Sequence, residues 1–253
     1  MDLDENITFT CNICGTSNNS KIRDLCREAS SCTKCQSNVR FRSIIYFLSR
    51  ELHSGKNFLL SDFQKNQNIA GASFSCPAYY AGILEAKFNY QNTYYHQEPR
   101  IDVNNVDEKL KGTKDFIICS EVLEHTNPPV INAFMGLSSL LKPGGFLIFT
   151  VPFTLEEECV EHYPNLYEYS ISNENGKYVL YNTTKDGEEE VYKDLVFHGG
   201  PGQTIELRLF SKKSVEKYLL AAGFKEVEFF SDYLPETGIF WSDPWSIPVI
   251  ARK

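Results

Sequence analysis

Residues 115–129 read DFIICSEVLEHTNPP, in which a short apolar run meets a group of charged and polar side chains. The run 116–119 predicts a buried strand, because aromatic and β-branched residues bounded by polar ones favour strands. The run ends at Ser120, and two carboxylates and a histidine follow: Glu121, Glu124 and His125. In an open sheet of parallel strands, ligands bind at the carboxyl ends of the strands. The stretch therefore predicts functional side chains directly after a central strand.

The segments around this stretch alternate short apolar runs with helical patterns, which is typical of a parallel sheet covered by helices. The predicted strands lie at 57–61, 69–73, 115–120 and 146–153, with two more in EVEFFSDYL and SIPVIAR, and 92–97 is a strand or an extended segment. The predicted helices are PAYYAGILEAKF, PPVINAFMGLSSLLKPGG and SKKSVEKYLLAAGF. Proline starts the second of these and Pro-Gly-Gly stops it. Ser211 is the expected N-cap of the third, and Gly223 follows its last turn.

Four of the eight cysteines form two Cys-x-x-Cys pairs near the N-terminus. Cys11 and Cys14 make the first pair and Cys32 and Cys35 the second, with 17 residues between the pairs. Each pair can offer two sulfurs to one tetrahedral ion, so the spacing predicts a Zn²⁺ site. Because four thiolates leave no free coordination position, this zinc is expected to be structural. Cys26, between the pairs, is a spectator or a substitute ligand, and four reduced cysteines without metal are the alternative.

The segment NVRFRSIIYFLSREL, residues 38–52, follows the second pair and has apolar residues at helical spacing. It predicts an amphipathic helix that links the cysteine segment to the rest of the chain. Arg40 and Arg42 at its start are expected to be solvent-exposed charges, although they lie where the two parts of the chain would meet.

The order of the segments DFIICSEVLEH, LLKPGGFLIFTVPF and VEKYLLAAGFKEVEFF resembles the class I S-adenosylmethionine-dependent methyltransferases, in the branch that begins with a four-cysteine knuckle. The resemblance runs from about residue 56 to 253, and the knuckle extends it to the N-terminus. It implies an α/β, Rossmann-like, seven-stranded methyltransferase sheet preceded by a zinc-ribbon knuckle. The expected division is a knuckle segment and linking helix at 1–50 and a methyltransferase domain at 51–253.

The resemblance also implies which residues bind S-adenosylmethionine. In the family, the segment after the strand at 115–120 flanks the methionine and ribose portions of the cofactor, so Ser120, Glu121 and Val122 are expected to contact it. Asp102, in EPRIDV, takes the position expected beside the adenine.

The first loop departs from the family pattern. The family usually follows its first strand with an acidic-Gly-x-Gly loop, which lets the backbone approach the cofactor closely. Here Ser61 and Asp62 occupy the expected turn, and no glycine follows until Gly71. We therefore expect an irregular cofactor site, with Ser61 and Asp62 as its candidate residues.

A long excursion, at about 154–210, separates the strand at 146–153 from the last helix. The turn sequences NENGK and KDGEE, between β-prone segments, predict a small antiparallel β insertion over the functional edge of the sheet. Long loops in compact domains are usually lids or binding elements. The insertion contains His162 and the sequence His198-Gly-Gly-Pro-Gly.

Methyl transfer to an oxygen of high pKa requires a base as well as alignment. The candidates are His125 after the central strand and His162 and His198 in the insertion. Several aromatic side chains suit stacking on a sugar or another ring, or simply form core: Tyr163, Tyr167, Tyr169, Trp241 and Trp245. Metal assistance is not expected, since the sequence has no carboxylate cluster with octahedral spacing.

The composition excludes several classes of protein. A formal net charge of -8 argues against a nucleic-acid partner, since phosphate binding depends on lysine and arginine. The apolar content of 42% is sufficient for a full core. The N-terminus lacks the pattern of a signal peptide, and no apolar run is long enough to span a bilayer, so we expect a cytoplasmic protein without a membrane partner.

The leading hypothesis is a methyltransferase that acts on an oxygen of a carbohydrate or another small molecule. A catalytically inactive protein of the same fold, serving as a binding or scaffold subunit, is the first alternative because of the unusual first loop. A zinc-ribbon RNA methyltransferase is the second, and the net charge weighs against it.

Overall fold

The computed structural model describes residues 2–253. In chain order the strands are β1 (Asn6–Thr10), β2 (Ser17–Lys21), β3 (Asn66–Phe74), β4 (Phe88–Thr93), β5 (Lys114–Ser120), β6 (Leu141–Thr150), β7 (Phe153–Thr154), β8 (Val160–Glu161), β9 (Glu168–Glu174), β10 (Lys177–Thr183), β11 (Glu189–Tyr192), β12 (Phe197–His198), β13 (Thr204–Ile205), β14 (Arg208–Ser211), β15 (Glu226–Phe229) and β16 (Val249–Arg252). The α-helices are α1 (Val39–Leu52), α2 (Ala78–Lys87), α3 (Ile131–Leu140) and α4 (Lys212–Ala221). Short 3-10 helices lie at Ile22–Asp24, Leu60–Asp62, Glu108–Leu110, Leu123–His125 and Pro235–Thr237.

A mixed sheet forms the centre of the fold, with the strand order β15-β16-β6-β5-β3-β4. Strands β3 to β6 run parallel, and β16 is antiparallel to both of its neighbours. The predicted strands at 115–120 and 146–153 and the two C-terminal strands are confirmed, as are the helices that follow 77 and 130. The predicted seventh strand is not confirmed. Within residues 2–253 the sheet has six strands, because the polar segment after β4 forms loops and a 3-10 helix.

The prediction of a first strand at 57–61 is wrong. The first strand of the sheet is β3, and residues 57–61 form a loop that ends in a 3-10 turn. Leu60 is fully buried, but its amide donates to the carbonyl of Asn12, so the apolar residues of this loop pack against the cysteine segment instead of entering the sheet. The second strand is consequently β4, which ends at Thr93.

The cysteine segment and α1 are built into the same core as the sheet. Asn38 caps α1 by accepting a hydrogen bond from the amide of Phe41 at 2.9 Å. Ile44, Phe47 and other apolar residues of α1 belong to one buried cluster that also contains sheet residues. Burial of a large apolar face on this scale is the main source of helix stability in a folded protein. The N-terminal segment is therefore part of the structural core.

Arg42 corrects another expectation. Its side chain is fully buried, and its guanidinium donates to the carbonyl oxygen of Gly238 at 2.7 Å and to that of Ser37 at 2.9 Å. Burial of a cation is costly unless it is hydrogen-bonded, and here both terminal nitrogens donate to oxygen atoms. Arg42 therefore joins the cysteine segment to the C-terminal segment of the chain.

The insertion contains the predicted antiparallel strands. β9, β10 and β11 form a meander with the order β11-β10-β9, and the first turn has positive φ at Asn175 and Gly176. Shorter pairs, β12 with β13 and β14 with β7 and β8, attach the insertion to the main body. Within residues 2–253 no helix is long and apolar enough to cross a membrane.

Candidate functional site

A cleft of about 810 Å³ opens at the carboxyl ends of β3, β4 and β5. Its walls come from the start of α1 (Arg40, Phe41), the turns after β3 and β4 (74–77, 94–97), the segment 101–104, the segment after β5 (120–122, 125–127) and the insertion (Tyr169, 203–205). Ligands are expected at this edge of a doubly wound sheet. The position of the cleft therefore agrees with the prediction made from residues 115–129.

The turn after the first strand is made without glycine. Ser75 has φ +53, a conformation that favours glycine, and its amide donates to the carbonyl of Thr93 at 2.7 Å. The side chain of Asn92 holds the next residue, since it accepts from the amide of Cys76 at 2.9 Å and donates to its carbonyl at 2.8 Å. The loop is thus fixed by its neighbour β4. Ser61 and Asp62, the residues predicted for this turn, do not line the cleft.

Ser120 and Glu121 are held by two arginines from the N-terminal segment. Arg27 binds the Glu121 carboxylate through both terminal nitrogens, at 2.6 and 3.1 Å, and Arg40 donates to Ser120 Oγ at 2.5 Å. Glu28 pairs with Arg40 at 2.8 and 2.7 Å and also contacts Arg27. Arg27 Nε donates in addition to the carbonyl of Ser246, which lies 219 residues further along the chain. Three distant parts of the chain therefore build this wall of the cleft.

Glu121 is strained and electrostatically stabilised. Its φ is +55, and its amide donates to the carbonyl of Thr150 at 2.9 Å. Burial raises the pKa of its carboxyl group, but the charges of Arg27 and Arg40 outweigh burial and hold the pKa below its usual value. Glu121 is therefore a fixed negative charge in the cleft wall. Non-glycine residues with positive φ are found disproportionately at functional sites.

Asp102 lies on the opposite side of the cleft, in a loop that packs closely on α3. Its Oδ1 accepts from the amide of Asn104 at 3.0 Å. The close approach depends on Gly136, because a Cβ added there would lie 1.8 Å from the carbonyl oxygen of Val103. A side chain at position 136 would displace either α3 or the loop that carries Asp102.

We expect Gly136→Ala to lower the free energy of unfolding by about 2–3 kcal/mol, because the added methyl group overlaps backbone atoms. Urea unfolding followed by circular dichroism measures the change. Gly82→Ala is the matched control: it is also a helical glycine, but an added Cβ meets nothing within 4 Å. This control should stabilise the protein by about 0.5–1 kcal/mol. Equal effects of the two substitutions would contradict the packing described here.

Three side chains converge where the segment after β5 meets the insertion, and we call Glu124, His125 and His198 the histidine cluster. His198 Nδ1 lies 3.2 Å from His125 Nε2 and 3.4 Å from Glu124 Oε1. His125 Nε2 lies 3.6 Å from the same oxygen. His125 also lines the cleft, so the cluster borders it.

The carboxyl group of Glu124 is the buried member of the cluster. Its residue is 0% exposed, and neither carboxyl oxygen has a well-directed hydrogen bond from any of residues 2–253. Burial raises its pKa to about 7. Burial lowers the pKa of His125, whereas the nearby Glu124 carboxyl group raises that of His198. The cluster is therefore poised to hold a proton or another cation.

Neighbouring groups orient the two imidazole rings. His125 Nδ1 lies 2.6 Å from the carbonyl oxygen of Ile205, and a nitrogen so close to this acceptor must carry a hydrogen. Glu206 lies behind the other ring, with one oxygen 3.9 Å from His198 Nε2 and the other 3.1 Å from His162 Nε2. His162 is thus one step removed from the cluster and does not line the cleft.

Arg208 fixes the backbone of the loop that carries the histidine cluster. Its side chain is fully buried and donates to the carbonyls of Leu123 and Thr126 at 2.8 and 2.7 Å. Its Nε donates to the Glu161 carboxylate at 2.8 Å.

A match to a known family agrees with this geometry. The family described as "Methyltransferase domain" matches residues 48–228, which is well over half of the chain. The chain belongs to the methyltransferase-domain family. No curated protein sequence matches it significantly.

Several solved structures are similar to this methyltransferase domain. An S-adenosylmethionine-dependent methyltransferase from Mesorhizobium loti is 14% identical, with a TM-score of 0.43 over 74% of this chain and 91% of that one. A sugar N-methyltransferase from a Streptoalloteichus species is 12% identical, with a TM-score of 0.46 over 83% and 85%. An amino pentose methyltransferase from Micromonospora echinaspora, solved with S-adenosylmethionine bound, is 14% identical, with a TM-score of 0.41 over 73% and 83%.

Four sulfur atoms meet in the segment that precedes the methyltransferase domain, and we call Cys11, Cys14, Cys32 and Cys35 the cysteine cluster. All four sulfurs lie within 4.8 Å of one another, with 3.7 Å between Cys11 and Cys35 and 3.6 Å between Cys14 and Cys32. A tetrahedral Zn²⁺ with Zn–S bonds of about 2.3 Å separates its ligands by about 3.8 Å. The cluster therefore fits this ion. Cys26 is exposed and lies outside the cluster.

The structure brings together most of the residues predicted for the site of the methyltransferase domain. Those that line the cleft are Asp102, Ser120, Glu121, Val122 and His125. Sequence reasoning missed Arg40, which lines the cleft, Arg27, which binds Glu121 without lining the cleft, and the turns after β3 and β4. One pattern did point to the first of these turns, since Pro77 starts α2 and thereby marks the end of the preceding strand.

Proposed function

We propose that the protein is an S-adenosylmethionine-dependent methyltransferase that acts on an oxygen atom of a carbohydrate or another small molecule. The observation that carries the proposal is a cleft of about 810 Å³ with a fixed carboxylate in one wall and the histidine cluster at its border. Family membership and the fold of S-adenosylmethionine-dependent methyltransferases support the cofactor. The acceptor is proposed from the size of the cleft and from the groups around it.

The cofactor end of the cleft is proposed to lie between Asp102 and the segment Ser120–Val122. S-adenosylmethionine supplies a methyl group on a sulfonium ion, and a nearby carboxylate favours such a positive charge. Glu121 is charged at neutral pH, because Arg27 and Arg40 lower its pKa. Ser61 and Asp62 have no part in the proposal, since they lie outside the cleft.

The acceptor end is proposed to lie beside the histidine cluster and the insertion. His125 and His198 are the proposed catalytic residues, and they act on the acceptor hydroxyl by accepting its proton. His162 is proposed as a positioning residue that acts through Glu206. Tyr169, which lines the cleft and donates to Asn127 Oδ1 at 3.1 Å, offers an aromatic face to a ring of the acceptor.

The cysteine cluster is proposed to hold a structural Zn²⁺. The ion would tie the loops on both sides of Arg27 and so keep the Arg27–Glu121 and Arg40–Ser120 contacts in place. A four-thiolate site has no open position for a substrate, so no catalytic step is assigned to this metal.

The proposal is tested by calorimetric titration of the protein with S-adenosylhomocysteine, the product of the cofactor. We expect binding, and we expect Glu121→Ala to weaken it about tenfold or more, because Arg27 loses the acceptor of both its terminal nitrogens and the cleft wall beside Ser120 is no longer held in place. Glu174→Ala, in the exposed hairpin of the insertion, should leave the affinity unchanged. Absence of binding at millimolar ligand would instead favour a binding or scaffold protein without this cofactor.

A further inference from the structure

The ligand-bearing atoms of the histidine cluster form a nearly regular triangle. Its sides are 3.2, 3.4 and 3.6 Å, measured between His198 Nδ1, His125 Nε2 and Glu124 Oε1. We infer that these three residues bind a single Zn²⁺ ion, separate from the ion proposed for the cysteine cluster. Two histidines and one glutamate are a known ligand set of catalytic zinc sites, in which the fourth position stays open.

The directions of the ring nitrogens support metal binding. Because His125 Nδ1 donates its hydrogen to the carbonyl of Ile205, the lone pair of its neutral ring is on Nε2, which faces His198 and Glu124. His198 has Nδ1 in the cluster and Nε2 on the side of Glu206. Metal-binding histidines usually donate their second N–H to a backbone carbonyl or a carboxylate. The His125 ring has such a partner in the carbonyl of Ile205, and for the His198 ring the Glu206 carboxylate is the nearest acceptor, at 3.9 Å.

Glu124 supplies the second, independent observation. It is completely buried, and among the described residues neither oxygen receives a well-directed hydrogen bond, since the nearest ring nitrogen, His198 Nδ1, lies 3.4 Å from Oε1. A buried polar group without a partner is costly, and such groups are rare unless water or an ion completes them. A divalent cation among the three side chains would satisfy the carboxylate and both imidazole lone pairs at once.

The spacing favours zinc over a hard octahedral cation. A tetrahedral ion with bonds of about 2.0–2.1 Å separates its ligand atoms by about 3.3–3.4 Å. An octahedral Mg²⁺ with bonds of the same length would separate adjacent ligands by about 2.9 Å, and it prefers oxygen ligands. The observed sides, from 3.2 to 3.6 Å, surround the tetrahedral value.

The ion would deepen the proposed function, and its role at the acceptor rests on that function. An acceptor hydroxyl bound at the open position would have a lowered pKa and would lose its proton more readily, the proton passing to solvent. Its oxygen would then form the C–O bond to the methyl carbon as the C–S bond breaks and the electron pair returns to sulfur. With the ion bound, His125 and His198 would be its ligands, and the ion would take over the activation of the hydroxyl that the proposed function assigns to these two rings.

The inference reverses the expectation that metal assistance is absent. That expectation considered clusters of carboxylates, whereas this site contains two histidines, one of which comes from the insertion and is far from Glu124 in the sequence. Glu124 and His125 are adjacent in the sequence, and this spacing alone does not indicate a metal site. His198 joins these two residues only because the insertion packs against the sheet.

The experiment is to saturate the purified protein with Zn²⁺, remove unbound ions, and measure zinc per chain by mass spectrometry. We expect two ions in the wild-type protein and one in His198→Ala, which removes a half-exposed ligand and leaves the cysteine cluster intact. His53→Ala removes a histidine that belongs to neither the cluster nor the cleft and should retain two. Retention of the cysteine-bound zinc shows in the same sample that His198→Ala is folded.

Substitution with Co²⁺ provides a readout that does not depend on the stoichiometry. The wild-type spectrum should combine thiolate charge-transfer bands with bands of a nitrogen- and oxygen-bound ion, and Glu124→Gln should lose only the second set. One zinc ion per wild-type chain, or equal zinc in wild type and His198→Ala, would overturn the inference and leave a hydrogen-bonded histidine pair. Titration with S-adenosylhomocysteine on the same samples separates this result from failure of the proposed function.

Discussion

A Cys32→Ser variant is expected to lose the zinc of the cysteine cluster and, with it, about 100-fold or more of the affinity for S-adenosylhomocysteine. Structural zinc sites of this kind contribute about 10–16 kcal/mol of apparent binding free energy, which is available for folding. Without the ion, the loop that carries Arg27 loses the constraint that holds it against the sheet. The cleft would then lose both cations that hold Ser120 and Glu121.

Zinc content by mass spectrometry and affinity by calorimetry test this expectation. Cys26→Ser is the matched control, because Cys26 is an exposed cysteine of the same segment that lies outside the cluster. The control should keep its zinc and its affinity. Stoichiometric zinc in Cys32→Ser would refute the ligand assignment, and loss of zinc with unchanged affinity would refute the coupling to the cleft.

Replacement of Arg208 with methionine is expected to lower the free energy of unfolding by about 3–5 kcal/mol. The substitution keeps much of the buried volume, but it leaves the Glu161 carboxylate without its cation. It also removes the donor to the carbonyls of Leu123 and Thr126, two groups in the loop of the histidine cluster. The Leu123 carbonyl keeps a hydrogen bond from the Thr126 hydroxyl at 2.9 Å, so the largest desolvation costs fall on the Thr126 carbonyl and on Glu161.

Chemical denaturation of Arg208→Met measures this loss. Lys213→Met is its control, since it removes the same charge from an exposed ion pair with Glu157 and should change stability by about 0.5 kcal/mol or less. If the two variants unfold at the same denaturant concentration, Arg208 does not hold the loop as described.

The sequence predicts the structure best where a short local pattern is sufficient to determine an element. The strand at 115–120 and the helix after Pro129 follow from an apolar run and from proline and glycine punctuation, and both are present. The N-cap of α4 at Ser211 is confirmed as a capping box with Ser214. The sulfur atoms of the two Cys-x-x-Cys pairs lie together, as the spacing of the pairs predicts.

The first strand was predicted at the wrong place because an apolar run can be buried against surfaces other than a sheet. Leu59 and Leu60 form an apolar pair that packs against the cysteine segment, and the pattern does not reveal which surface covers it. The strand predicted at 69–73 is confirmed within β3, but it is the first strand of the sheet and not the second. Tertiary contacts of this kind override local propensity.

The remaining site residues depend on contacts between distant segments. Arg27 and Arg40 reach the cleft from the N-terminal segment, and His198 reaches Glu124 from the insertion. No spacing in the sequence relates these pairs. These contacts depend on the order of the strands and on the position of the insertion, which local sequence patterns do not reveal.

The bond from Arg27 to the carbonyl of Ser246 has a consequence for biosynthesis. Since it spans 219 residues, this wall of the cleft cannot close until Ser246 has left the ribosome. A chain that is truncated before Ser246 would lack this anchor for the guanidinium that holds Glu121. Occupancy of the cleft would therefore report that synthesis has passed Ser246.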